Sequence, residues 1–244
     1  MRKLVRMAAG TAAFVCVALM GYFLFRHMAA ASFGGEPPEL SGIPAAAELE
    51  APYISQEGVL PTGCELVSAL MLLRYYGCDL PMHEFVERCV DKEPVVFTDA
   101  EAYGPHPADA FAGDPYDANG YGCYAPVIRR ALDRAGVPGR RAVDLSGSSL
   151  EELCAHIAQG DPVLLWVTID FVPSREGTHW TDTRTGEEFI WRAQEHCVVL
   201  TGYDEQKLIM NDPYQSHGRI ERDWALVRRR YEELGCQAVA LLAE

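Results

Sequence analysis

Residues 54–77 read ISQEGVLPTGCELVSALMLLRYYG, a polar loop running into an apolar helix with one cysteine at the junction. From Leu66 to Tyr76 the residues Leu66, Val67, Ala69, Leu70, Met71, Leu72 and Leu73 leave almost no polar face, so the helix is expected to be buried. Gly77 fits the position just past its end. Thr62 and Glu65 are three apart and fit a capping box, Thr62 capping the helix and Glu65 reaching back. Cys64 then falls in the first turn, among unpaired backbone N–H groups at the positive end of the helix dipole. That setting favours a thiolate and lowers a cysteine pKa, which suits a nucleophile. A free cysteine is more often a small buried residue, so Cys64 needs partners before chemistry follows.

The whole chain has 244 residues, 49% of them hydrophobic, enough for one globular domain with a real core. Its net charge is −14, and the first 31 residues hold Arg2, Lys3, Arg6 and Arg26 with no acid, which leaves −18 on the rest. So acidic a body is a poor partner for nucleic acid or an anionic membrane surface. Residues 1–6 are basic and residues 7–25 carry no charge. As a helix the uncharged run is roughly 28 Å long, close to the hydrocarbon core of a bilayer. It reads as an uncleaved signal anchor, because the apolar part of a cleaved signal peptide is usually shorter. Cleavage after Ala29-Ala30-Ala31, with secretion, is the alternative. The charges flanking the run put the N-terminus in the cytoplasm and the body outside. Residues 26–50, rich in Ala, Gly, Pro and Glu, read as a flexible linker, and residues 51–244 as the globular domain.

Within that domain Pro52 to Ile54 reads as a short strand, Met82 to Val90 as an amphipathic helix and residues 91–121 as irregular. Residues 115–120 have the look of a calcium loop but lack its first acidic ligand and its closing Glu, so no metal is expected. Helices follow at Tyr124–Ala135 and Ser149–Gln159. Strands follow at Val163–Ile169, Phe189–Trp191, His196–Gly202, Lys207–Met210 and Gln237–Leu242. Helices early and strands late argue α+β with an antiparallel sheet. Eight cysteines without a C-x-x-C argue against structural zinc. Setting aside Cys16 and Cys64, six remain that an exported body is able to pair.

A nucleophilic Cys64 needs a base. His196 opens an apolar strand, and the strand that returns ends at Asn211-Asp212-Pro213. If Tyr203 to Gln206 form a four-residue turn, Gly202 pairs with Lys207 and His196 falls within a residue of Asp212 across the hairpin. An acid there orients the imidazole and stabilises its charged form. Asn211 competes, since a one-residue shift of register exchanges the two. Cys on a helix N-terminus, with His and Asp or Asn on a later sheet, is the papain-like order. Gln56, a few residues before Cys64, is placed to donate to an oxyanion.

The blocks PYISQEGVLPTGCELVSALMLLRYYG, GDPYDANGYGCYAPVI, GDPVLLWVTI, HCVVLTGYD and LIMNDPY resemble, in this order, bacterial cysteine-peptidase-like domains related to the double-glycine bacteriocin-processing peptidases, the C39-like group of the papain-like clan. The resemblance covers about residues 51–242. It implies a papain-like fold with Cys64 as nucleophile, His196 as general base and acid, Asp212 orienting His196, and Gln56 donating to the oxyanion. It implies no cofactor. The expected activity is peptide or protein hydrolysis through an acyl-enzyme. The rival readings are acyl transfer or amide hydrolysis on a cell-wall peptide, and a catalytically silent ectodomain that binds peptide. Glu65 follows Cys64 where the leader-cutting members have Gly, and the chain carries no export ATPase.

Overall fold

Leu66 to Leu73 form the buried helix that their apolar run demands. In the computed structural model, which describes residues 40–244, helix α1 spans Cys64–Tyr75 and buries every residue from Cys64 to Leu73. Gly77, at φ +79°, ends it: its N–H bonds Arg74 O at 3.0 Å, and the Cys78 N–H bonds Leu73 O at 2.9 Å. The start differs from expectation. The cap residue is Gly63, which has no side chain to cap with. Thr62 Oγ1 donates instead to the carbonyls of Asp114, at 3.4 Å, and Asp117, at 3.1 Å. Glu65 turns into the core. The Thr62–Glu65 capping box is therefore absent, since both side chains bond elsewhere.

The remaining helices are α2 (Met82–Cys89), α3 (Ala125–Ala135), α4 (Leu150–Gln159) and α5 (Trp224–Glu233). Helix α4 has the capping box that α1 lacks: Ser149 accepts from the Glu152 N–H, Glu152 reaches back, and Gly160 closes the helix in the left-handed region. The strands are β1 (Ala47–Glu48), β2 (Lys92–Glu93), β3 (Val96–Phe97), β4 (Ala102–Gly104), β5 (Phe111–Ala112), β6 (Arg140–Asp144), β7 (Val163–Thr168), β8 (Arg175–Asp182), β9 (Glu188–Ala193), β10 (Glu195–Tyr203), β11 (Lys207–Asp212), β12 (Gly218–Asp223) and β13 (Ala238–Ala243).

The main sheet runs β12-β11-β10-β7-β13-β6, with β1 also pairing β10. All its pairings are antiparallel, so the α+β expectation holds. Strand β10 is buried over its whole length because both faces are covered. Side chains alternate along a strand. Cys197 and Val199 pack with α1 and α3, while Val198 and Leu200 pack with α4 and α5. A second sheet, β3-β4-β8-β9, and a parallel β2-β5 pair organise residues 92–112 and 175–193.

Three expectations change. Residues 52–54 are not a strand. The described end of the linker, residues 40–50, is not free: β1 pairs β10, Leu49 N–H bonds Thr201 O at 2.8 Å, and Tyr203 OH donates to Pro44 O at 3.0 Å. Leu40, Ile43 and Leu49 pack against the second core cluster, and that apolar contact is what docks the segment. The seven described cysteines are all free thiols, mostly core residues, so the six that were open to pairing remain unpaired. The segment 7–25 lies outside the described residues. Among the described residues no helix is long and apolar enough to cross a membrane.

Candidate active site

Helix α1 lies across β10, and Ser68 Oγ fixes the crossing by donating to Cys197 O at 3.0 Å. That contact brings the N-terminus of α1, and so Cys64, against Glu195 and Cys197 at the start of β10, while no hydrogen bond joins Cys64 to the intervening His196. The backbone N–H of Cys197 faces the Cys64 sulfur and favours its ionised form.

His196 and Asp212 are hydrogen-bonded. The His196 Nε2 to Asp212 Oδ1 distance is 2.7 Å, with both side chains 1% exposed. Asp212 Oδ1 also accepts from the Tyr214 N–H at 2.9 Å, and Oδ2 lies 3.2 Å from His217 Nδ1. Burial alone would raise the Asp212 carboxyl, but the His196 hydrogen bond and charge, with Tyr214 and His217, hold it below the usual range. An ionised Asp212 accepts, so Nε2 of His196 carries a hydrogen and Nδ1 is the ring nitrogen left free of Asp212. Tyr214 packs edge-on to the imidazole, with ring centroids 5.8 Å apart.

The register that joins them is not the one the hairpin count supplies. Gly202 pairs with Ile209 rather than Lys207, and a bulge between Leu200 and Gly202 shifts the ladder so that Val199 pairs with Asn211. Asp212 therefore reaches His196 diagonally. Asn211 is turned away, its Nδ2 donating to Ala51 O at 3.0 Å.

Gln56 is buried in the loop before α1. Its Nε2 donates to Leu60 O at 3.3 Å and to Pro61 O at 3.1 Å, while Oε1 has no partner. Both amide hydrogens thus brace the Cys64 loop. The turn that holds residues 115–120, where the sequence has the look of a calcium loop, uses its acids as turn acceptors: Asp114 Oδ1 takes the Tyr116 N–H at 3.0 Å, and Asp117 Oδ1 takes the Asn119 N–H at 2.9 Å. Its carbonyls hold Thr62, which ties this turn to the cysteine loop. A surface cavity of about 620 Å³ lined in part by this turn contains none of Gln56, Cys64, His196 and Asp212.

Cys64 itself departs from expectation. Its thiol donates to Glu65 Oε2 at 3.3 Å. Burial, followed by the Glu65 and Glu195 carboxyls, pushes its pKa well up. Burial, ahead of the two carboxyls, therefore works against the low-pKa thiolate that the helix position favours. Glu65 Oε1 accepts from the Cys123 N–H at 2.6 Å. Burial pushes the Glu65 carboxyl up to about 7, and burial together with the Glu65 charge raises that of Glu195 well above the usual carboxylate range. Glu195 is a site residue that sequence reasoning missed. The only signal was an acid heading a strand with no other charge before Asp204. Cys64, Glu65 and Glu195 are the one such trio among the described residues whose donor atoms lie within 4.8 Å of one another. The thiol and Glu65 are already hydrogen-bonded within the protein, and none of the three is assigned as a metal ligand.

With a cysteine on a buried helix start, packed against a strand that carries an acid-bound histidine, comparison with known proteins becomes informative. The model of the Peptidase_C39-like family matches residues 48–239. The chain belongs to this family. A curated member from Bacillus subtilis, the uncharacterized protein YvpB, is 29% identical over 183 residues, covering 75% of this chain and 70% of that one. The crystal structure of a C39-like peptidase from Bacillus anthracis superposes with a TM-score of 0.72 at 27% identity, covering 82% of this chain and 98% of that chain. Membership accounts for the α+β architecture and supports cysteine-peptidase chemistry.

Proposed function

We propose that this protein is a cysteine peptidase whose nucleophile is Cys64, whose general base and acid is His196, and whose Asp212 holds His196 in the working tautomer. The observation that carries the reading is the buried 2.7 Å contact between His196 and Asp212 on the strand that packs against the Cys64 helix. With Nε2 committed to Asp212, Nδ1 is the nitrogen that exchanges protons. The sulfur starts as a thiol, so its proton leaves for Nδ1 as it attacks the scissile carbonyl carbon. The His196 imidazolium, stabilised by Asp212, then protonates the leaving amine, and water resolves the acyl-enzyme by the reverse transfer. Gln56 lies in the loop where an oxyanion donor belongs. It acts there once substrate draws one amide hydrogen from Leu60 O or Pro61 O.

The substrate is a peptide or protein. Incubation with a peptide library, read by mass spectrometry, should give discrete cleavage products that vanish with Cys64→Ala. A library left intact by wild type would favour the silent peptide-binding reading. We further propose that residues 7–25 hold the body outside the membrane as an uncleaved anchor. N-terminal sequencing of the mature protein tests this, and a start near Ala31 or Ser32 would contradict it.

A further inference from the structure

The carboxyl groups of Glu65 and Glu195 are the least expected feature of the site. Both side chains are buried, Glu65 wholly and Glu195 with 6% exposure. Glu195 Oε1 has no hydrogen-bond partner. Among the described residues neither carboxyl forms a salt bridge with an arginine, lysine or histidine. The groups around them are the thiols of Cys64, Cys123 and Cys197, the Tyr124 hydroxyl, the ring of Trp191 and Trp166, whose indole N–H alone favours an ionised Glu195. Arg130 on α3 and Arg192 on β9 bear on Cys123 and Tyr124 respectively. Gly122 presses on the pair from the remaining side: a Cβ there would lie 2.4 Å from Glu65 Oε1 and 3.0 Å from Glu195 Oε2. Two carboxylates in a dry site with no cation beside them cannot both stay ionised.

We propose that Glu65 and Glu195 share one proton beneath Cys64, and that this proton determines whether the nucleophile can ionise. With the proton in place the pair carries one negative charge, and the Cys64 thiol can pass its own proton to His196. When the pair loses its proton, two facing negative charges hold Cys64 as a thiol. Reactivity of the sulfur should then lag behind rising pH instead of following it, opposite to an ordinary cysteine. Glu65 touches the reacting sulfur directly, and the Glu195 carboxyl faces the same sulfur within 4.8 Å. The inference rests on the reading of Cys64 as the nucleophile, although the sulfur's titration can be measured whether or not the protein turns substrate over.

The experiment is iodoacetamide labelling of Cys64, followed by peptide mapping of the full chain from about pH 6 to about pH 9, in wild type, Glu65→Gln and Glu195→Gln. A glutamine at 65 still accepts the Cys123 N–H, so the fold contact is kept while the charge is lost. Both variants should label Cys64 about tenfold or more faster than wild type near pH 8, since one pKa unit is a factor of ten. If Glu65→Gln is poorly folded by circular dichroism, Glu195→Gln decides alone. Infrared difference spectra supply a second readout, in which the protonated-carboxyl band of wild type at neutral pH should shift or weaken in either variant. Superposable labelling profiles in folded variants, or no such band, would overturn the proposal. Unchanged profiles alongside normal peptide cleavage would sink the proton-sharing pair and leave the peptidase reading intact. Shifted profiles without cleavage would do the reverse.

Discussion

Asp212 carries two histidines and one backbone N–H on a single carboxylate, and only one of these contacts serves the proposed chemistry. Asp212→Asn keeps an acceptor for Nε2 but removes the charge that stabilises imidazolium. It should lower kcat/KM by about a hundredfold or more at equal folded fraction. Asn211→Ala loses only the bond to Ala51 O and should cost stability of about 1 kcal/mol, with turnover per folded molecule nearly unchanged. The reverse ranking would mean that the register read here is wrong. The hairpin count left Asn211 and Asp212 both open because a bulge at Thr201 carries no mark in the sequence. The family resemblance, not the count, pointed to Asp212. Glu65 shows a different limit: three residues after a threonine it fits a cap, and nothing local reveals that a neighbouring loop will offer it the Cys123 N–H. Its titration also bears on stability. A carboxyl raised from 4.5 to about 7 on folding binds more protons folded than unfolded between those values, so stability falls as pH rises through that window. The contribution is on the order of 3 kcal/mol, present in full below about pH 4.5 and lost above about pH 7. Urea unfolding of wild type against Glu65→Gln at several pH values should show a difference that grows with pH across this window. A constant difference would contradict the assignment.

Helix α1 was legible because a run from Leu66 to Leu73 has no other way to avoid water, and β7 and β10 were legible for the same reason. Strand β8 was not, since Arg175 to Asp182 is polar at most positions and buries only Trp180 and Asp182. Helix α5 has an apolar stripe at Trp224, Val227 and Tyr231, but three consecutive arginines interrupt it and obscure the period. Between elements, the site depends on how closely the 120–123 backbone approaches α1. Gly122→Ala tests that approach, because the added methyl meets two carboxyl oxygens that have nowhere to retreat. It should destabilise the protein by about 1–3 kcal/mol and alter Cys64 labelling. The same change at Gly139, where nothing lies within 4 Å but φ is +71°, should cost stability without touching Cys64. Equal labelling in the two variants would show that Gly122 does not support the carboxyl pair.

Across the molecule, the domain boundary predicted at residue 51 falls too late. The apolar residues between 40 and 49 were read as part of a linker because Ala, Gly, Pro and Glu surround them, yet they complete the side of β10 that β7 leaves open. Composition reports solvation on average, and a few docked side chains are enough to override it. The account depends most on Cys64 forming a bond to substrate, and trapping that bond tests it directly. A reactive peptide ester mixed with the enzyme, quenched in acid and mapped by mass spectrometry should leave its acyl group on the peptide containing Cys64. Cys64→Ala should carry none, and His196→Ala should form the adduct far more slowly. Hydrolysis that continues with the acyl group on another residue, or on none, would contradict the account.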